Sequence, residues 1–323
     1  VIGRSNMVEF AYSGLGLNPH YGTPKSPWRR DVGHVPGGSS SGAAVSVTDG
    51  MAHGALGTDT GGSCRIPAAY CGIVGYKPTA RRIPLDGGVP LSFTLDGYGP
   101  LARSVACCVT LDAVHADEPI KPVAPRPIKG MRLAIPTTVA FDEIADDVAQ
   151  AFERAVAKLA QQGAVIERIA VPEFAEVAVL NAKGGFSGAE AWAWHRALIA
   201  RRGADYDPRV ISRIRRGEGQ SAADYVDLLK HRRAMIDGFD ARIARFDALV
   251  MPTIAITPPR IADLEKDDDA YAKANVLSLR NCTLINTIDG CAITLPIQRE
   301  GEAPVGLMLA ASGGADRRIF ELA

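Results

Sequence analysis

The feature that most constrains the fold is a switch of hydrophobic period between residues 131 and 169. Met131 to Pro136 (MRLAIP) is a short apolar run with strand character. Val148, Phe152, Val156 and Leu159 then follow at steps of four, four and three, which places them on one face of a helix. Gly163 stands where that helix must stop, and Val165 to Ile169 returns to strand character. A strand, helix and strand in this order predict a parallel crossover unit and so an α/β fold. The rest of the chain continues the alternation. Ser221 to Asp224 forms a capping box with Asp in place of Glu, and Tyr225, Leu228, Met235, Phe239 and Ile243 continue it as a long helix. Leu249 to Pro252, Ala292 to Leu295 and Val305 to Leu309 are short apolar runs expected as buried strands. The proline-rich stretch Pro119 to Pro127 is expected as a surface connection inside one fold.

Charge narrows the class of partner. Lys plus Arg and Asp plus Glu both number 36 in a chain of 323 residues, so no net field draws in nucleic acid or an anionic membrane. No apolar run reaches the length of a bilayer span. A small molecule is the expected partner, with no nucleic acid and no membrane. Six cysteines without a C-x-x-C pair match no disulfide scaffold and point to a reducing, cytoplasmic setting. The first residue is Val1, so a targeting segment ahead of it is left open.

Two glycine and serine clusters, Gly37 to Gly42 (GGSSSG) and Gly57 to Arg65 (GTDTGGSCR), carry the chemistry. A flexible linker is the plainest reading, but Ala43, Ala44, Val45 and Val47 form an apolar run after serines suited to capping a helix, which a solvated linker does not need. A phosphate cradle lacks the Lys and Ser/Thr of the P-loop and the spacing of a dinucleotide fingerprint. Nucleophilic catalysis fits better, because glycine permits close substrate approach and main-chain N–H groups can stabilise an oxyanion. Gly38-Ser39-Ser40-Ser41-Gly42 formally matches the G-x-S-x-G elbow, which makes Ser40 one candidate nucleophile and requires a His such as His195 or His231. Pro24, Pro27 and Pro36 occupy the place where the elbow needs a strand, and the second cluster stays unexplained.

Together the clusters resemble the amidase signature family. Gly37-Gly38-Ser39-Ser40-Ser41-Gly42 and Gly57-Thr58-Asp59-Thr60-Gly61-Gly62-Ser63-Cys64-Arg65-Ile66-Pro67-Ala68 follow its pattern. GRSNMVEFA from Gly3, CGIVGYKPT from Cys71, LDGYGPLARSV from Leu95, VMPT from Val250 and PVGLMLA from Pro304 extend the likeness over nearly the whole chain. The resemblance implies one α/β/α domain over residues 1–323, a mixed central sheet ringed by helices. It implies an enzyme that hydrolyses a carboxylic amide through an acyl-serine; no cofactor is expected, and adjacent Cys107 and Cys108, or Cys64 and Cys71, without a paired His spacing, predict no metal. Ser63 is the implied nucleophile. Ser39, which the family holds after a cis peptide bond, is implied to relay the proton of Ser63 to a neutral lysine. The main-chain N–H groups of Thr60, Gly61, Gly62 and Ser63 are implied to form the oxyanion hole. Ser40, Asp59 and Arg65 are implied supports, and a purely structural ion pair is an equal reading of the last two.

The chain departs from the family pattern at Thr48, where a small residue is usual, and at Cys64, where an aliphatic one is usual. Cys64 is thereby a rival nucleophile, though a free cysteine is ordinarily a small hydrophobe. Lys25 is the only lysine ahead of Ser39, in a stretch of solvated-loop character, and Lys77 matches a family position outside the triad. The expectation is a domain without its N-terminal part and extreme C-terminus, or one that has lost catalysis and serves as an inactive binding protein. Another alternative is the A subunit of a glutamyl-tRNA(Gln) amidotransferase. Against it stands ARRIPLDGG after KPT, where that branch is closer to GRVSRYG. Arg196, Arg201, Arg202, Arg209, Arg213, Arg215 and Arg216, with Asp205, Asp207 and Glu218 among them, are expected as a solvated helical face. The substrate-binding residues, the particular amide and a homodimeric state stay open at this level.

Overall fold

The computed structural model describes residues 1–323. All the segments expected as strands join one sheet. In chain order its strands are β1 (Gly54–Thr58), β2 (Val74–Lys77), β3 (Tyr98–Ala102), β4 (Arg132–Pro136), β5 (Val165–Ile169), β6 (Ala248–Pro252), β7 (Cys291–Pro296) and β8 (Gly306–Ala311). The spatial order is β1-β3-β2-β7-β8-β6-β4-β5. β4 pairs in parallel with β5, Leu133 opposite Ile166, and also in parallel with β6. Every other pairing is antiparallel, so the sheet is mixed.

Three strands lie outside the sequence expectation. β1, β2 and β3 are short and carry Gly54, Gly57, Gly75, Gly99 and Pro100, residues that weaken strand character. They form because their neighbours hold them. β1 pairs with β3 along its whole length, while β2 bonds only Leu101 and Ala102 of β3, so Pro100 falls beyond the last pair on that side.

The helices are α1 (Ser41–Thr48), α2 (Arg65–Cys71), α3 (Val105–His115), α4 (Asp146–Gln161), α5 (Glu173–Asn181), α6 (Gly185–Arg202), α7 (Pro208–Arg215), α8 (Ala222–Ile243), α9 (Ile261–Lys266), α10 (Asp268–Thr287) and α11 (Asp316–Leu322). α4 is the expected crossover, with Val148 and Phe152 buried. α8 begins with the expected box, in which Ser221 accepts from Asp224 N and Asp224 accepts from Ser221 N. The stretch from Pro119 to Pro127 is irregular and mostly exposed.

Side-chain alternation along the strands builds two layers. Leu249 and Met251 of β6, with Met308 and Ala310 of β8, face a core shared with α2, α5, α8 and α10. Their neighbours Val250, Leu307, Leu309 and Ala311 face the other core, with Cys108 of α3, Phe152 of α4 and Phe320 of α11. Burial on both sides explains why these strands read as continuous apolar runs. No helix is long and apolar enough to cross a membrane. All seven residues of α2 are buried, which makes it the fixed element against which the site is built.

Candidate active site

The two glycine and serine clusters meet directly. The first runs into α1, which begins with its Ser41 and Gly42, and the second leaves β1 and enters α2. Ser40 N donates to Ser63 O at 3.4 Å. The Ser40 hydroxyl accepts from Thr58 N at 3.1 Å and donates to Thr58 O at 3.3 Å. Ser40 therefore stitches α1 to β1 instead of capping its helix, where its side chain makes no bond. Gly57 permits this approach, since a Cβ there would lie 2.8 Å from Ser40 Oγ and 2.9 Å from Cys64 Sγ. The Gly38–Ser39 peptide bond is cis. Ser39 O accepts from Val8 N at 3.0 Å, and Gly38 N donates to Gly14 O at 2.9 Å.

Asp59 organises the second cluster. Its Oδ1 accepts from Gly62 N, Arg65 Nη2 and Asn286 Nδ2, each at 2.9 Å. Its Oδ2 accepts from Cys64 N and Arg65 Nε, both at 3.1 Å. Asp59 and Arg65 are both fully buried. Burial pushes the Asp59 carboxyl up, but the Arg65 charge and hydrogen bonds, with Lys77 and Asn286 assisting, outweigh it and hold the group below the usual carboxylate range. Arg65 also donates to Asn286 Oδ1 at 2.5 Å and to Cys282 O at 3.3 Å, which ties the loop to α10. Thr60 Oγ1 donates to Asp96 Oδ1 at 2.5 Å. Asn286 and Asp96 were missed at the level of sequence because no local pattern links them to residues 59–65.

This network amends the expected set of N–H donors. The Gly62 N–H is engaged by Asp59, whereas those of Thr60, Gly61 and Ser63 donate to no protein group. Gly62 has a φ of 126°, a backbone state that side chains disfavour, so glycine is required there.

The structure separates the remaining candidates. Ser39 is fully buried, and its Oγ has no hydrogen-bond partner. Lys25 is exposed, its stem over Gly33, and Lys77 is buried with Nζ donating to Pro78 O and Gly290 O, both at 2.8 Å. Neither bonds Ser39. The elbow reading of Ser40 is corrected, because its hydroxyl is committed to Thr58. His195 is buried against Phe10 and Trp194 with its ring nitrogen 2.8 Å from Tyr206 OH. Burial pushes it down to about 4. His231 pairs with Glu176 at 3.2 Å on the surface.

Cys64 is fully buried, its Sγ directed at Gly99 O at 3.5 Å. Burial, reinforced by the Asp59 charge, pushes its thiol well above the ordinary range, which suppresses the thiolate. Cys64→Ala is expected to lower stability by about 1 kcal/mol and to keep amide hydrolysis within about threefold of the parent. Denaturant titration and an ammonia assay check both; loss of turnover with an intact fold would restore the cysteine as nucleophile.

Ser63 lies on the wall of a cavity of about 650 Å³, with Thr60 and Gly61 beside it. Phe174, Phe186, Leu95 and Leu279 give the cavity apolar walls. Arg213, Arg216 and Arg280 also line it. The expected solvated arginine face holds in part, since Arg202 pairs with Asp205 and Arg209 with Asp268. It is corrected for Arg213, which is half-buried and bonded to Tyr12 O, while Arg216, three residues on at the end of α7, is exposed as expected and borders the same cavity. A second cavity of about 710 Å³, between Glu9, Phe10 and Tyr206, contains neither serine.

Comparison with known proteins agrees with this arrangement. The family model described as Amidase matches residues 1–320. The chain is 38% identical to the 2-amino-5-chloromuconic acid deaminase of Comamonas testosteroni, over all of this chain and 70% of that protein. It is 32% identical to the A subunit of the glutamyl-tRNA(Gln) amidotransferase of Symbiobacterium thermophilum, over all of this chain and 72% of that one. The crystal structure of the corresponding A subunit from Thermotoga maritima superposes with a TM-score of 0.82 at 28% identity, covering 99% of this chain and 72% of that one. With the fold, the two clusters and a family match along almost its entire length in agreement, the chain belongs to the amidase family, the amidase signature enzymes that hydrolyse amide C–N bonds.

Proposed function

We propose that amide hydrolysis in this chain runs through Ser63, with Ser39 as proton relay. The observation that carries the reading is the setting of Ser63. It stands on the cavity wall at the head of a loop clamped by Asp59 and Arg65, beside free N–H groups.

Ser63 Oγ attacks the amide carbon and forms a C–O bond. Its proton passes to Ser39 Oγ, which hands its own on to a base. The tetrahedral oxyanion is stabilised by the N–H groups of Thr60, Gly61 and Ser63, where each donor contributes about 3 kcal/mol to such a transition state. The C–N bond then breaks, the amine leaves with a returned proton, and Ser63 is left as an acyl ester. Water cleaves that ester by the same relay in reverse and releases the acid. The fully buried, unpartnered hydroxyl of Ser39 supports the relay, since such a group costs stability unless another group engages it. By resemblance the base is a neutral lysine that meets Ser39 Oγ, a part that neither Lys25 nor Lys77 takes. A small amide is the substrate class, and the cavity lies within the roughly 300–1,000 Å³ that such ligands occupy.

Two measurements test this reading. A fluorophosphonate should label the protein once, with the adduct on Ser63 by peptide mass; labelling elsewhere counts against it. Ser39→Ala should slow acylation by about 10²–10⁴-fold with little change in KM, the usual share of a proton-transfer group. A normal pre-steady-state burst in that variant would remove Ser39 from the mechanism.

A further inference from the structure

Resting on the assignment of Ser63, we infer that the substrate is an amide with a hydrocarbon body ending in a carboxylate, which Arg216 and Arg280 bind beside Arg213.

The charged residues lining the Ser63 cavity are all guanidinium groups, and no Asp or Glu is among them. None of the three is spent on a carboxylate. Arg213 Nη1 donates to Tyr12 O at 2.6 Å, with the guanidinium 5.2 Å from the Tyr271 ring centre. Arg216 Nη2 donates to Asn181 O at 3.2 Å. Arg280 Nη2 donates to Ala140 O at 3.0 Å, Nη1 to Asp142 O, and Nε to Asn281 Oδ1 at 3.0 Å. A guanidinium carries five N–H donors, so Arg213 and Arg216, with one bond each, retain four, and Arg280, with three bonds, retains two.

Elsewhere the half-buried arginines meet carboxylates, with the exception of Arg318. Arg82 meets Asp112 at 2.8 Å, Arg209 meets Asp268 at 2.6 Å, and Arg232 lies 3.7 Å from Asp289. Three guanidinium groups without a carboxylate partner thus stand together on the walls that also hold the proposed nucleophile. Burial pushes Arg280 below its ordinary value, and Asp142 and Glu143 only partly offset this.

The planar fork of arginine matches a carboxylate with two parallel bonds, which a neutral amide or ester cannot return. The apolar walls at Phe174, Phe186, Leu95 and Leu279 fit the hydrocarbon between the scissile amide and that anion. Arg213, bonded to Tyr12 and set against the Tyr271 ring, supports the field, Arg216 at the exposed end of α7 is placed to adapt to a ligand, and Arg280 on α10, held by Ala140, Asp142 and Asn281, offers its two remaining donors from a fixed position.

The test is a matched pair, the monoamide of terephthalic acid against its neutral diamide, followed by ammonia release and by calorimetric binding. The monoamide should be favoured by at least about 10-fold, the contribution of one hydrogen bond to a charged group. The preference should appear in KM, because the carboxylate is bound equally in ground and transition states. It should shrink to within about threefold in Arg216→Gln and in Arg280→Gln, and weaken in high salt as charges are screened. Arg216→Gln alters an exposed residue, so its readout does not hinge on a loss of fold. Equal handling of both probes, or a preference that survives both substitutions, overturns the inference while leaving Ser63 as nucleophile. Selective, arginine-dependent binding of the monoamide without ammonia release from either probe sustains the carboxylate site and overturns the hydrolytic assignment instead.

Discussion

Ser63→Ala is expected to lower ammonia release from an amide by about 10⁴-fold or more, with KM and fold preserved. On the proposed reading Ser63 Oγ is the atom that forms the acyl bond, and its loss leaves water to attack directly. The cavity walls and the free N–H groups of Thr60, Gly61 and the residue itself persist in the variant, so binding and a small residual rate remain. Ser63 makes no side-chain bond that organises the loop. Asp59 does that through Gly62, Cys64 and Arg65, and the denaturation midpoint should therefore hold. The combination separates chemistry from architecture. A variant that retains turnover would refute the assignment, and one that loses both turnover and stability would make Ser63 a structural residue. Initial rates with saturating amide, alongside a urea titration, deliver both readings.

The parts of this molecule legible in its sequence are those whose pattern is local. The run from Met131 to Ile169 announced β4, α4 and β5, because burial on one helix face and both strand faces imprints a period on consecutive residues. The box at Ser221 and Asp224 announced α8 for the same reason. β1, β2 and β3 were silent, since their glycines serve close packing and their pairing is imposed from outside, as Gly75 shows: a Cβ there would lie 2.6 Å from Cys64 O. The serine clusters were legible because glycines at fixed places leave few other uses. The rest of the site was not, because its members come from remote turns of the chain. Asn286 reaches Asp59 from α10, Asp96 reaches Thr60 from the segment before β3, and Arg280 joins Arg213 and Arg216 across the cavity wall. Arg213 departs from the expected solvated face for an instructive reason. A run of like charges on a helix describes its composition, while the side of the helix that faces a cavity is decided by where Val210 and Ile214 are buried.

Asp59→Asn is expected to lower the free energy of unfolding by about 3–5 kcal/mol, the loss typical of breaking a buried ion pair from one side. The substitution keeps the shape and removes the charge, so Arg65 is left ionised with no counter-charge in a fully buried setting. Arg65→Met should cost a comparable amount by stranding Asp59. The double variant should cost less than the sum, because each change removes the reason the other was costly. Acid dependence gives an independent reading. The Asp59 carboxyl is held below its ordinary value in the folded state. Its contribution is therefore complete above the unfolded value of about 3.9 and is lost as pH falls through the lower folded value. The gap in stability between parent and Asp59→Asn should stay constant near neutrality and narrow below about pH 4. A loss under about 1 kcal/mol, or a gap that widens in acid, would show that Asp59 is not the residue that fixes the loop. Because the same carboxylate engages Gly62 N and Cys64 N on either side of Ser63, the damage cannot stay confined to stability. Turnover should fall further than the unfolded fraction accounts for, since the N–H groups beside Ser63 hold their direction only while the loop beneath them is clamped.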